Sequence, residues 1–93
     1  MILSFYDKET EELFNGGRGD RRWQSFVRVA RRKLLLLGAA TSLHDLKSPP
    51  NNKLEALKAD RLGQHAVWIN DQYPLCFIWK DGNTTRVEIT DYH

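Results

Sequence analysis

Three groups of residues have the types and spacing to do chemistry. Asp91, Tyr92 and His93 stand in a row directly after a strand pattern: a carboxylate, a phenol and an imidazole. Lys58 and Arg61 sit in Leu57-Lys58-Ala59-Asp60-Arg61-Leu62-Gly63-Gln64-His65, just before a core strand pattern. Between Arg18 and Lys33 there are seven Arg/Lys residues against one acid, Asp20, whereas the first dozen residues carry mostly acidic charges.

These are the parts that metal-free RNA cleavage needs. A base removes the proton from a ribose 2′-hydroxyl, which attacks the adjacent phosphorus, and an acid protonates the leaving 5′-oxygen. Cations stabilise the charge that builds on the phosphoryl oxygens. Histidine titrates near neutrality and serves as acid or base, and tyrosine can orient groups or stack on a base. The acid–base contribution is about 10²–10⁴-fold, so positioning must supply the rest.

Each group also has a plain reading. A terminal tail is normally free to fray, so Asp91 and His93 could be ordinary end residues, and Tyr92 could pack at a sheet edge. Lys58 and Arg61 could be surface cations, and the basic stretch a solvated helix face or a surface for phosphate. His44 and His65 read as structural, and three scattered histidines do not make a zinc site. Trp23, Trp68 and Trp79 read as core, though an exposed tryptophan could stack on a base.

The elements that must hold these groups follow from periodicity. Ile2 to Tyr6 reads as an opening strand. Asp7 caps a first helix, which Thr10 to Phe14 continues and Asn15-Gly16-Gly17 ends. Arg21 to Ala40 reads as one long helix. Trp23, Phe26, Val27, Ala30, Leu34 and Leu37 share one face of it, with Arg21, Arg28 and Arg32 opposite. Thr41 or Ser42 caps a short turn through Leu46, and 47–52, with Pro49 and Pro50, is a loop.

The second half reads as strands: Leu54 to Leu57, His65 to Ile69, Leu75 to Trp79 and Thr85 to Asp91. Asn70-Asp71 and Asp81-Gly82 are the turns, the latter a strong hairpin signal. The expected fold is α+β: an N-terminal strand and two helices packed on a curled antiparallel sheet, with one sheet face open for a site.

Composition narrows the class. A chain of 93 residues with 41% hydrophobic residues and net charge +2 makes a single domain over residues 1–93. It is too small for a deep cleft, so a substrate must lie across a surface or be positioned by a second body. The single cysteine, Cys76, excludes an internal disulfide and suggests no cysteine metal site. The start is neither a signal nor a transit peptide, and Leu34 to Leu37 is far too short to span a bilayer. A cytoplasmic protein without membrane contact is expected. The loop at Gly16, Gly17 and Gly19 lacks the Lys-Ser/Thr ending of a phosphate-binding loop, and Arg18-Gly19-Asp20 is a coincidental tripeptide.

A resemblance ties the groups together. Leu54 to His65, Ile69-Asn70-Asp71-Gln72-Tyr73, Cys76-Phe77 and Asp91-Tyr92-His93 resemble the plasmid-maintenance killer toxins, the HigB-type toxins of the RelE superfamily. Ala39-Ala40-Thr41, Asp45-Leu46 and Ser48-Pro49-Pro50 fit the same pattern upstream, so the similarity runs in order through nearly the whole chain. It implies a RelE-like fold and metal-independent, cofactor-free cleavage of messenger RNA in the decoding site of the small ribosomal subunit. It also implies a HigA-type helix-turn-helix antitoxin, with operator DNA bound only through the toxin–antitoxin complex. On this resemblance Asp91, Tyr92, His93 and Lys58 are catalytic, and Arg61 binds RNA; the stripe with Arg28 and Arg32, read from helical periodicity, faces water, RNA or a partner protein, and RNA contact is the expectation taken.

Two positions depart from the pattern. A histidine found in some relatives before the Leu-Lys pair is Glu55 here, leaving that role empty or to a carboxylate near the RNA. The strand after Tyr73 normally begins with arginine, expected to clamp the scissile phosphate, and here begins with Pro74. Proline removes the charge and one backbone donor. An attenuated or inactive toxin is therefore one expectation, and a noncatalytic module that still binds antitoxin or ribosome is the rival. A DNA-binding repressor fits poorly, because no second helix of suitable spacing follows the basic one.

Overall fold

The computed structural model describes residues 1–91. Tyr92 and His93, two of the expected catalytic residues, lie outside the described residues.

Helix α1 spans Lys8–Phe14. The Asp7 carboxylate accepts from the Thr10 N–H at 2.9 Å, and Glu9 and Glu11 complement the positive end of the helix. Thr10 faces inward, where its hydroxyl accepts from the Ile89 N–H at 3.2 Å and ties the helix to the last strand. Arg31 reaches back to the carbonyls of Leu13 and Gly17, satisfying acceptors at the C-terminal end of α1.

The stretch read as one helix from Arg21 to Ala40 is two elements. Arg21–Phe26 is a 3-10 helix, and α2 proper spans Val27–Ala39. The backbone breaks at Phe26, with φ −129° and ψ 19°. A 3-10 helix stacks residues three apart, so Trp23 and Phe26 align on one side. Trp23 is buried there, and the Phe26 ring lies 4.7 Å from that of Tyr73. Both aromatics face the core from there, Trp23 buried and Phe26 partly buried against it.

In α2 the buried positions are Ala30, Lys33, Leu34 and Leu37. The apolar members match the predicted stripe, and Arg28 and Arg32 are exposed as predicted. Lys33 is the exception: it is buried, with its ammonium donating to the Trp68 carbonyl at 2.6 Å. The following segment is pinned by polar side chains. Asp45 accepts from the Thr41 and Ser42 N–H groups, and fully buried Asn52 donates to the carbonyls of Leu46 and Ser48.

Four strands form an antiparallel sheet in sequence order: β1 Glu55–Ala56, β2 His65–Trp68, β3 Pro74–Lys80 and β4 Asn83–Ile89. The β3–β4 hairpin closes on Asp81 and Gly82, both at positive φ (53° and 80°), as a right-twisting two-residue turn requires. The expected opening strand is reduced to two bridges, Ile2 with Thr84 and Phe5 with Val87, and it runs parallel to β4. The cause is a bulge. Arg86 takes φ 54°, the β3–β4 register slips between Cys76 and Ile78, and the Arg86 N–H turns to the Ser4 hydroxyl at 3.0 Å.

Alternation along the strands separates two faces. Val67, Leu75, Phe77, Val87 and Ile89 join Leu13, Leu34 and Leu37 in the core under the helices. Ala66, Pro74, Cys76 and Glu88 point to the other face. No helix among the described residues is long and apolar enough to cross a membrane.

Candidate active site on the outer sheet face

Strand register builds the outer face as rows. Glu55 lies opposite Ala66, Ala66 opposite Cys76, and Cys76 opposite Glu88, which makes one row across all four strands. In the next row Trp68 lies opposite Pro74, and the Thr90 N–H donates to the Pro74 carbonyl at 3.2 Å. The Trp68 indole N–H donates to the Glu55 carboxylate at 2.8 Å, so Glu55 is tied to the sheet.

Arg61 reaches this row from the β1–β2 connection. Its Nη1 donates to Glu88 Oε1 at 2.8 Å and to Gln64 Oε1 at 3.0 Å. The pair is sheltered, with side-chain exposures of 30% for Arg61 and 12% for Glu88, so solvent screens it less than a surface pair. The Glu88 hydrogen bond raises the Arg61 pKa further, against an opposing effect of burial. The guanidinium is a fixed positive charge at any working pH.

The loop that carries Arg61 has an unusual backbone. Ala59 sits at φ 57°, a left-handed conformation that costs a non-glycine residue about 1–3 kcal/mol. Lys58 precedes the short 3-10 turn Ala59–Arg61 and accepts from the Arg61 N–H at 3.1 Å. Lys58 is exposed, and Leu57 to Arg61 line a shallow recess of about 310 Å³. Strain held in a cation-bearing loop is a feature of binding and catalytic segments.

Asp91 is held at the end of β4. Its Oδ1 accepts from the Gln72 side-chain N–H at 3.0 Å. Gln72 belongs to the β2–β3 turn, where the Asn70 carboxamide oxygen accepts from the N–H groups of Gln72 and Tyr73, both at 2.8 Å. Arg22 approaches from the 3-10 helix, paired with Asp20 at 2.8 Å. Its pKa is raised chiefly by Asp20, with weaker contributions from Tyr73 and Asp91, so its field reaches the last strand's end.

Cys76 is fully buried in the middle of the face. Burial pushes its thiol up to about 11, with Glu88 and Glu55 adding and Arg61 opposing. At neutral pH it is a protonated thiol, which excludes it as the nucleophile. Pro74 is also fully buried at the first position of β3, a strand position that tolerates the missing N–H. Among the described residues, no group of three or more His, Cys, Asp or Glu side chains is placed to hold a metal ion.

The structure thus brings Arg61, Glu55, Pro74 and Asp91 to one face and its edge, with Lys58 on the adjoining loop. Arg28 and Arg32 lie on α2, in the layer behind the sheet. Sequence reasoning missed Glu88, Gln64 and Gln72, the side chains that hold Arg61 and Asp91. Glu88 carried a signal, since it alternates with Val87 and Ile89. Nothing in the sequence separated Arg22 from its basic neighbours.

Comparison with known proteins agrees with this architecture. Residues 3–93 match the family model of HigB-like toxins, described as RelE-like toxin of type II toxin-antitoxin system HigB. Toxin HigB-1 of Vibrio cholerae is 37% identical over 83 residues, covering 88% of this chain and 87% of that protein. An uncharacterized protein of Haemophilus influenzae is 32% identical over 63 residues, covering 68% of this chain and 62% of its own length. Among solved structures, the YoeB-YefM complex from Staphylococcus aureus contains a chain of the same fold. That match has a TM-score of 0.54 at 15% identity and covers 100% of this chain and 98% of the other. With a family model spanning almost every residue and a relative above a third identical, the chain belongs to the HigB-like toxins, the RelE-like toxins of type II toxin–antitoxin systems.

Proposed function

We propose that this protein is a ribosome-dependent, metal-independent endoribonuclease that cuts messenger RNA in the decoding site of the small subunit. A HigA-type helix-turn-helix antitoxin neutralises it in the cytoplasm, and the pair reaches operator DNA through the antitoxin. The observation that carries this reading is the meeting of distant segments at the last strand: Arg61 of the β1–β2 connection reaches Glu88 on its outer face, and Gln72 of the β2–β3 turn holds Asp91 just past its end.

In this reading His93 transfers the proton and Tyr92 orients or stacks on a base. Asp91, steadied by Gln72, orients the reacting groups. Lys58 and Arg61 stabilise the charge growing on the phosphoryl oxygens. Among the described residues Arg61 uses Nη1 for both of its side-chain hydrogen bonds, and its Nε and Nη2 donors suit a phosphate. Glu55 sits near the RNA path as a carboxylate tied to Trp68. Arg28 and Arg32, behind the sheet, bind ribosomal or messenger phosphate at a distance from the reacting bond. The ribosome supplies the enclosure that so small a domain lacks.

Pro74 favours a second reading, an attenuated enzyme or a noncatalytic toxin fold. A buried proline stands where the resemblance implies a phosphate-binding arginine. Pro74→Arg should strengthen growth arrest on induction and raise the cleavage rate by about 10²–10³-fold, the range set by one oxyanion-stabilising donor. The arginine stem must displace packed neighbours before its head reaches the surface, so a thermal melt is read alongside. Unchanged growth arrest and cleavage in a folded Pro74→Arg protein would remove the attenuation reading. Absence of growth arrest from both chains would remove the toxin activity itself.

A further inference from the structure

The tryptophans read as core from the sequence, and one of them is not. Trp23 is buried and Trp79 packs against the core cluster, whereas Trp68 is half-buried on the outer face of β2, outside that cluster. Glu55 stands beside it, exposed on β1. With Lys53, Leu54 and Asp71 the two line a recess of about 490 Å³ at the edge of the sheet. Small-ligand sites span about 300–1,000 Å³, so the recess has room for one flat ring system.

Its polar groups are set in place. The Trp68 indole N–H donates to Glu55 Oε1 at 2.8 Å, which holds the carboxylate at the edge of the ring. Among the described residues this is the one side-chain hydrogen bond of Glu55, so Oε2 keeps its acceptor capacity. At the rim the Lys53 ammonium lies 3.8 Å from the Asp71 carboxylate, with side-chain exposures of 67% and 102%. So exposed a pair adds little to the fold, and the Lys53 ammonium stays within reach of a ligand's phosphate. An aromatic plane, a carboxylate at its edge and a cation at the rim are the parts that hold a nucleotide by base face, base edge and phosphate.

The carboxylate chooses among bases. Guanine presents N1–H and N2–H side by side, two parallel donors that match a carboxylate. Adenine and cytosine present one amino group next to a ring-nitrogen acceptor, which a carboxylate repels, and the uracil N3–H lies between two carbonyls. Strand register puts this recess next to the candidate active site. Trp68 lies opposite Pro74, whose carbonyl accepts from the Thr90 N–H, and Asp91 follows.

We propose that Trp68 and Glu55 form a guanine site: the base stacks on the indole, donates N1–H and N2–H to the Glu55 carboxylate, and brings its phosphate to Lys53. The substrate so named rests on the ribonuclease reading above, and it makes guanine the base selected beside the cut.

The test follows the Trp68 indole N–H resonance of the full chain by NMR, assigned from its loss in Trp68→Phe, during titration with GMP, AMP, CMP and UMP. GMP should move it in the millimolar range and bind at least about 10-fold tighter than the other three, as a bidentate base contact gives. Glu55→Gln, at an exposed position where folding is little disturbed, should bind GMP about 10-fold more weakly and AMP as the parent does. Inorganic phosphate alone should leave the resonance in place. Equal response to all four nucleotides, no response to any, the same shift with phosphate alone, or parent-like GMP binding by Glu55→Gln would each overturn the site. The titration needs no cleavage, so a chain that binds GMP in this way but never cuts messenger counts against the ribonuclease reading alone. On programmed ribosomes, cuts by the parent should favour codons containing guanine, and Glu55→Gln should lose that preference; cuts indifferent to guanine would overturn its role in choosing the messenger.

Discussion

Removing His93 should lower the rate of messenger cleavage on programmed ribosomes by about 10²–10⁴-fold, the range of a positioned acid–base group. The reaction needs one proton taken from the 2′-hydroxyl and one given to the 5′-oxygen. Imidazole is the only side chain of the tail that does either near neutral pH without a large pKa shift. Asp91 is hydrogen-bonded to Gln72, a contact suited to orienting a reacting group. The Cys76 thiol, pushed up to about 11, is silent. A His93→Gln chain should fall as far as the deletion while binding ribosomes as the parent does. A loss of less than about 3-fold in single-turnover cleavage would return His93 to an ordinary terminal residue and shift the chemistry to Lys58 and Tyr92.

The second large effect is on the fold. Phe77→Ala should cost about 3–5 kcal/mol, as for other buried aromatic truncations. Phe77 is fully buried in the central strand, within the cluster that includes Leu34, Leu37 and Val87, and its ring stacks 6.2 Å from that of His65. No small domain of this size has much reserve beyond that, since total stability is about 5–15 kcal/mol. At about 4–8 °C per kcal/mol, a loss of about 3 kcal/mol lowers Tm by about 12–24 °C. The same strand presents Pro74 and Cys76 to the outer face, so the site should fail with the core. Leu62→Ala, at a position 81% exposed, should change stability by less than about 0.5 kcal/mol. A Phe77→Ala melt within a few degrees of the parent would mean that the core lies elsewhere.

Much of this architecture was legible in residue patterns. Asp7, the α2 leucines and alanine, Asp81-Gly82 and the alternation of Val87 and Ile89 each reported a local preference that the tertiary fold respects. What escaped were features decided by contacts between distant segments. Phe26, which ends the 3-10 helix Arg21–Phe26, packs on Tyr73, far along the chain. The parallel opening segment and the Arg86 bulge depend on each other through Ser4. Lys33, counted in the sequence only as one of the basic stretch, is buried with its ammonium on the Trp68 carbonyl, 35 positions away. At the site, the candidate residues were legible mostly through the family resemblance, and their supports were not. Arg61 meets Glu88 across 27 positions, and Asp91 meets Gln72 across 19, separations at which periodicity carries no information.

On the proposed reading, a larger body completes the face that these supports build. In that proposal the recess at Lys58 and the sheltered Arg61, with His93 as the proton carrier, break RNA that the ribosome holds in line. The most direct test is therefore to incubate the purified chain with a defined messenger, free and on programmed ribosomes, and to map cuts by primer extension. Cuts that appear only on the ribosome, persist in chelator and vanish without His93 are the expected result. Equal cutting of free messenger, or no cuts from either this chain or Pro74→Arg, would contradict it.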